Sequence, residues 1–166
     1  GRFVAQQPEL VSTGLTTPDP VSLQRHLRDC ADAGVQACVM EASSIGIEEH
    51  RLDGTHVRTA VFTNFTQDHL DYHGTMDAYW QAKQRLFAWP GLQTAVIHID
   101  DAQGARLAKT LAQHGKLDVW TTSCTHTDAR LYARSMRYTT SGLAFEVMER
   151  GAQAIALQTA LIGQYN

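Results

Sequence analysis

The chain has 166 residues and a formal charge of −3, with 14 Lys and Arg against 17 Asp and Glu. That length supports one domain with its own core, and the balance leaves no basic footprint for a nucleic-acid partner. Charges do not gather into runs, no apolar stretch is long enough to span a bilayer, and the opening GRFVAQQPEL lacks a signal-peptide core, so no membrane partner is expected. Cys30, Cys38 and Cys124 are odd in number and share no metal or redox spacing; the expectation is a cytoplasmic protein with reduced thiols.

Residues 1–20 carry few periodic apolar positions, and TGLTTPDP, with Gly14 and two prolines, reads as a loop. Thr16 and Thr17 place two hydroxyls before Pro18, which biases Thr17 toward an extended backbone. By themselves, loop threonines read as turn or cap residues. Val21, Leu23, Leu27, Cys30 and Ala31 predict an amphipathic helix over residues 21–33, ended by Gly34. Residues 35–40 read as a short apolar strand running into Glu41, which puts a carboxylate at the carboxyl edge of a sheet; the bland alternative is a solvated strand-end glutamate. The polar segment that follows holds Ser43, Glu49 and Arg51, and the planar fork of an arginine suits a carboxylate.

Ala60-Val61-Phe62 reads as a buried parallel strand. Behind it lies TNFTQDHLDYHGTMDAYWQAKQRLF, residues 63–87, which carries His69, His73, three aspartates and Lys83. Open α/β sheets place their sites at the ends of such strands. Thr75 predicts a helix cap, Asp77 suits the first turn, and Met76, Tyr79, Trp80, Leu86 and Phe87 share one face. Lys83 falls on that same stripe, so either its stem snorkels to water or its amine is partly desolvated and open to chemistry.

Residues 94–99 and 117–121 read as strands on either side of a helix over 102–114, a spacing that gives parallel βαβ units. Asp100 and Asp101 read as a helix N-terminus rather than a catalytic pair. Beyond Ala129 the pattern turns β-rich over 131–139, 143–149 and 152–161, with hairpin signals at Ser141-Gly142 and Arg150-Gly151. The predicted fold class is α/β: a mostly parallel sheet flanked by helices over residues 1–129, then a small antiparallel β-sheet over 130–166. No G-x-x-x-x-G-K-[ST] phosphate loop occurs, since Lys116 follows Gly115 but is followed by Leu117.

Four groups of residues stand in register. They are Thr16-Thr17-Pro18-Asp19; Met40-Glu41-Ala42-Ser43-Ser44 with Arg51 eight residues after Ser43; Asn64 with Asp68-His69-Leu70-Asp71-Tyr72-His73-Gly74; and Ala82-Lys83 with Leu86-Phe87. Each alone is a weak signal. In this order and at these separations they resemble the central domain of the Mur ligases, from about Leu15 to Asn166. The resemblance implies a Rossmann-like central ATP- and substrate-binding domain over residues 1–166. It also implies a fragment of a larger enzyme, with N- and C-terminal domains flanking it and the phosphate loop outside it.

The activity so implied is an ATP-dependent, amide-bond-forming ligase of cytoplasmic peptidoglycan precursor synthesis. It would add a third amino acid, meso-diaminopimelate or L-lysine, to a UDP-N-acetylmuramoyl-dipeptide through an acyl phosphate, with Mg2+ as cofactor and ATP as co-substrate. The resemblance assigns Thr16, Thr17, Ser43, Glu49 and Arg51 to the substrate, Arg51 to its D-glutamyl end, and Asn166 to the surroundings of the ATP base. It assigns Glu41, His69 and Lys83 to magnesium, with His69 and Lys83 catalytic and Lys83 carbamylated to support a second ion. Two departures stand out: Ile45 where the family commonly has histidine after Ser-Ser, and Glu49 where it commonly has glutamine. The second puts an acid beside an anionic substrate.

Three other readings remain open at this point. His69 and His73, four residues apart, admit a zinc site or a surface pair. Folylpolyglutamate synthases share the architecture and chemistry, although DYHG and TTPDP favour the muramoyl branch. A noncatalytic ligand-binding module would account for the missing phosphate loop.

Overall fold

The computed structural model describes the backbone of residues 2–4, 7–11 and 14–161 and the side chains of residues 14–161. Asn166, expected near the ATP base, lies outside the described residues. The chain forms two compact units, Gly1–Val57 with Gln67–Gly91, and Arg58–Thr66 with Leu92–Asn166.

In the first unit, β1 (Arg2–Val4) and β2 (Gln7–Val11) pair antiparallel. The loop expected after them leads into α1 (Pro20–Asp32). Asp19 starts this helix by accepting from the N–H groups of Val21 and Ser22, and Pro20 fills a first-turn position that needs no donor. Gly34 follows the Ala33 cap at φ 74°, a conformation that glycine adopts without a Cβ penalty.

Residues 35–40, expected as a strand, form no ladder, and Val39 is 97% exposed. A run of apolar residues becomes a strand only when a neighbour takes its N–H and C=O groups, and none of the described strands pairs with this run. The chain then forms α2 (Ser44–Glu48), opened by Ser43, whose Oγ accepts from the Gly46 N–H at 3.0 Å. Next come α3 (Leu70–His73) and α4 (Met76–Gln84). Thr75 caps α4 as expected, accepting from the Ala78 N–H at 3.1 Å, and the helix tightens into a 3-10 turn over Arg85–Ala88.

Leu23, Ile47 and Leu52 make the heart of this unit, packed by Leu27, Met40, Ala42, Leu86 and Trp89. Each fully buried Leu or Ile contributes about 1.5–3 kcal/mol. The polar end of Trp89 is satisfied by donation from Nε1 to the Thr55 carbonyl at 2.9 Å. This small core joins α1, α2 and the end of α4, and so fixes the loops between them.

The second unit is one six-stranded sheet. Its strands run in spatial order β3 (Thr59–Phe62), β4 (Thr94–His98), β5 (Asp118–Ser123), β6 (Leu131–Thr139), β7 (Gly142–Glu149) and β8 (Ile155–Thr159). The pairings from β3 to β6 are parallel and those from β6 to β8 antiparallel. The expected C-terminal antiparallel part is present and continues the parallel sheet, because β6 pairs with β5 at Thr122↔Leu131 and Ser123↔Tyr132. α5 (Ala102–His114) connects β4 to β5 over the residues predicted for it.

β3 is buried on one face only: Ala60 and Phe62 are 2% and 5% exposed, while Val61 is 57% exposed. α5 packs closely on that inner face. A Cβ on Gly104 would lie 2.1 Å from the His98 carbonyl oxygen and 2.8 Å from the Phe62 ring, so the position requires glycine.

The two aspartates after β4 divide their work. Asp101 caps α5 through the N–H groups of Gln103 and Gly104, and its other oxygen accepts from the Phe65 N–H at 2.8 Å. Asp100 instead accepts from the Ser123 hydroxyl, the Cys124 N–H and the Thr125 hydroxyl, tying together the carboxyl ends of β4 and β5. Burial pushes the Asp100 carboxyl up, but these three hydrogen bonds and the neighbouring His98 outweigh it and hold it below the ordinary carboxylate value.

Candidate functional site

Every described candidate residue belongs to the first unit. The residues form two groups, one around Thr17 and one around Tyr79.

Thr17 is wholly buried. Its hydroxyl lies 3.0 Å from both the Glu41 carbonyl oxygen and Ser43 Oγ, and it accepts from the Ser43 N–H at 2.9 Å. One side chain thus fixes the segment that carries Glu41 and Ser43. The fit is tight, since a Cβ on Gly46 would come within 2.7 Å of Thr17 Cβ and 2.9 Å of Ser43 Oγ. Thr16, next in the loop, is exposed, as is the Glu41 side chain.

Arg51 closes this group. Nη1 donates to the Thr17 carbonyl at 3.1 Å, while Nε and Nη2 both donate to Glu49 Oε2, Nε at 2.9 Å. The Arg51 side chain is only 17% exposed and that of Glu49 40%. Thr17, Ser43, Glu49 and Arg51 are therefore one hydrogen-bonded assembly, as their spacing in the sequence could not show.

The second group surrounds Tyr79, itself 5% exposed. His69 meets the Tyr79 ring edge-on at 5.8 Å between centroids, and His73 stacks on it at 5.2 Å. Lys83 Nζ lies 4.9 Å over the same ring. Lys83 is half-buried with its amine against an aromatic face, which is neither extreme of the snorkelled and desolvated alternatives. His69 has φ 52° and ψ 26°, a left-handed conformation uncommon for a residue with a side chain. Its N–H donates to Asp68 Oδ1 at 2.8 Å.

His73 joins the two groups. Its Nε2 lies 2.9 Å from Ser44 Oγ, and Ser44 is the neighbour of Ser43. Burial lowers the His73 pKa below its ordinary 6.5, assisted by the charges of His69 and Lys83 and opposed by Glu48 and Asp71, so the ring is neutral at pH 7. A cleft of about 210 Å³ opens beside it, lined in part by Glu48, Tyr72, Gln81 and Arg85, with Glu48 and Arg85 paired at 3.1 Å.

Tyr79, expected only as one of the apolar-face residues of its helix, is the common partner of His69, His73 and Lys83. The signal was present in the i, i+4 spacing of Tyr79 and Lys83, which puts them on one helix face. As for metals, among the described residues no group of three or more His, Cys, Asp or Glu is gathered to hold an ion. The expected donors Glu41, His69 and Lys83 offer one carboxylate, one imidazole and one amine. Only the first of these is the oxygen donor that magnesium prefers.

The open sheet of the second unit, parallel at its start and antiparallel at its end, defines an α/β protein whose described candidate side chains all lie in the first unit. A family model for the Mur ligase middle domain matches residues 2–166, and the chain belongs to that family.

A relative from Acidovorax sp. (strain JS42) named UDP-N-acetylmuramoyl-L-alanyl-D-glutamate--2,6-diaminopimelate ligase is 57% identical over 159 residues, which is 96% of this chain and 31% of the relative. One of the same name from Janthinobacterium sp. (strain Marseille) is 48% identical over 93% of this chain and 31% of its own length. A solved structure of a ligase of that name superposes with a TM-score of 0.80 at 36% identity, covering 89% of this chain and 30% of the other. The chain thus spans about a third of the length of the relatives it matches.

Proposed function

We propose that the protein to which this chain belongs is an ATP-dependent ligase that joins 2,6-diaminopimelate to UDP-N-acetylmuramoyl-L-alanyl-D-glutamate. This chain would supply its middle ATP- and substrate-binding domain, residues 1–129 as the α/β part and 130–166 as the antiparallel part. The observation that carries the reading is the 57% identity, over 96% of the chain, to a protein of that name. Arg51 agrees with it, being a guanidinium anchored in place whose fork is suited to a carboxylate. The UDP-linked substrate and ATP make the cytoplasm the proposed compartment. No helix among the described residues is long and apolar enough to cross a membrane.

In this reaction the substrate carboxylate takes the γ-phosphoryl group of ATP, giving an acyl phosphate and ADP. The amine of the incoming amino acid attacks the acyl carbon, phosphate leaves and an amide remains. Positioning and charge neutralisation are what the protein contributes to such a transfer. Arg51 and Ser43 would orient the dipeptide, with Glu49 at the same locus and Thr16 exposed on the loop. Thr17 would act by bracing Ser43 and the Glu41 backbone, since its hydroxyl is fully engaged.

Magnesium would neutralise charge on the phosphoryl oxygens when bound. The residues fit it on one condition. Glu41 supplies an oxygen and His69 an imidazole nitrogen, but Lys83 becomes a suitable donor only after its amine adds carbon dioxide, with loss of a proton, to give a carbamate. His69 and Lys83 Nζ both lie against the buried Tyr79 ring, which supports that role.

Phosphate release by the whole protein tests the reading. Release should require ATP, the UDP-linked dipeptide and diaminopimelate together, with L-lysine a poor replacement. Release that ignores the dipeptide, or none with all three present, would remove the proposal. Stoichiometric zinc in the purified protein would point instead to a metallohydrolase.

A further inference from the structure

We propose that Glu49 controls how Arg51 receives its ligand: its carboxylate occupies the guanidinium fork, and an anionic substrate binds by exchanging with it. This inference rests on the assignment of Arg51 to a substrate carboxylate. Of the guanidinium's donors, Nη1 is spent on the Thr17 carbonyl, and the edge formed by Nε and Nη2 converges on Glu49 Oε2. That edge is the one a guanidinium presents side-on to a carboxylate. In the resting protein, therefore, an acid of the chain itself fills the place where a ligand acid would sit.

The two partners differ in freedom to move. Arg51 is held by the carbonyl of a wholly buried residue and is itself 17% exposed, so it stays in place. Glu49 follows the last residue of the five-residue α2, is 40% exposed and can rotate toward water. Two carboxylates sharing one guanidinium repel each other, so the incoming anion and Glu49 compete rather than add. A glutamine at this position would keep an oxygen for Arg51 and remove the competing charge.

Kinetics and direct binding with the whole protein test the exchange. Glu49→Gln should lower the KM for the UDP-linked dipeptide about fivefold and leave the KM for ATP unchanged, as expected for removal of one half-exposed ionic competitor. An unchanged or raised KM for the dipeptide, or an equal fall for ATP, would overturn it. Titration of the dipeptide onto each protein separates this failure from that of the ligase reading. Tighter binding by Glu49→Gln without any turnover would keep the exchange and remove the ligase. Turnover without tighter binding would do the reverse, and neither turnover nor tightening would remove both.

Discussion

Replacing Thr17 by valine separates hydrogen bonding from packing at the centre of the site. The substitution preserves shape, including the methyl group that packs on Gly46, and deletes only the hydroxyl. Three groups then lose a partner: the Ser43 N–H, which donated at 2.9 Å, the Glu41 carbonyl, which lay at 3.0 Å, and Ser43 Oγ, also at 3.0 Å, which keeps its bond from the Gly46 N–H. An unsatisfied buried donor costs about 1–3 kcal/mol, and a carbonyl with a second lone pair costs less, so the expected loss is about 2 kcal/mol. Thr17→Ser keeps the hydroxyl and its contacts and removes one methyl, at about 1 kcal/mol. The order of stability should therefore be wild type, then serine, then valine. If Thr17 acted by packing alone, valine would equal wild type and serine would be worst. Amide hydrogen exchange at Ser43 reads the effect locally. Two kcal/mol corresponds to about 30-fold faster exchange in the valine variant. Exchange in Thr17→Val no faster than in Thr17→Ser would refute the reasoning.

Lys83→Ala should abolish phosphate release, and short carboxylates should partly restore it; full activity in the untreated variant would exclude a carbamate at this position. Arg51→Lys, which loses the fork and the contact with the Thr17 carbonyl, should raise the KM for the dipeptide far more than that for ATP, and an equal effect on both would argue against substrate binding. Folding lowers the proton affinity of His73, so the unfolded chain takes up the proton first. The stability owed to this group is complete above 6.5 and is lost as the pH falls through and below that value. His73→Gln should lessen the fall in urea midpoint between about pH 8 and about pH 5. The same fall in both proteins would show that His73 carries none of it.

The helices were readable because their signals are local. Asp101 and Gly115 bracket α5 over the predicted residues, and Thr75 caps α4 where its position implied. The strands of the meander were likewise readable from their turn residues, Ser141-Gly142 and Arg150-Gly151. What failed depends on neighbours remote in sequence. Residues 35–40 have the composition of a strand and no described partner, and Val61 has the hydropathy of a core residue on a face left exposed among the described residues. Neither fact is contained in the segment itself, since strand formation and burial are properties of pairs.

The candidate site shows the same division at finer scale. The family resemblance named Thr17, Ser43, Glu49, Arg51, His69 and Lys83 as candidates, and the structure gathers the first four into one hydrogen-bonded assembly and sets the last two against Tyr79. The roles inside the set were not readable. Thr16 and Thr17 are adjacent and chemically alike, yet one is exposed and the other has no exposed surface at all. Burial turns the second from a candidate ligand contact into the brace on which Ser43, the Glu41 backbone and Arg51 all rest. Glu49 shows the converse. On sequence it was an acid misplaced beside an anionic substrate, a conflict with no visible relief. The ion pair with Arg51 supplies the relief and also makes the acid a competitor for the fork. In the proposed exchange, a substitution from amide to acid at that point would act on affinity for the anion, through a charge that its arginine would have to give up before the ligand could bind.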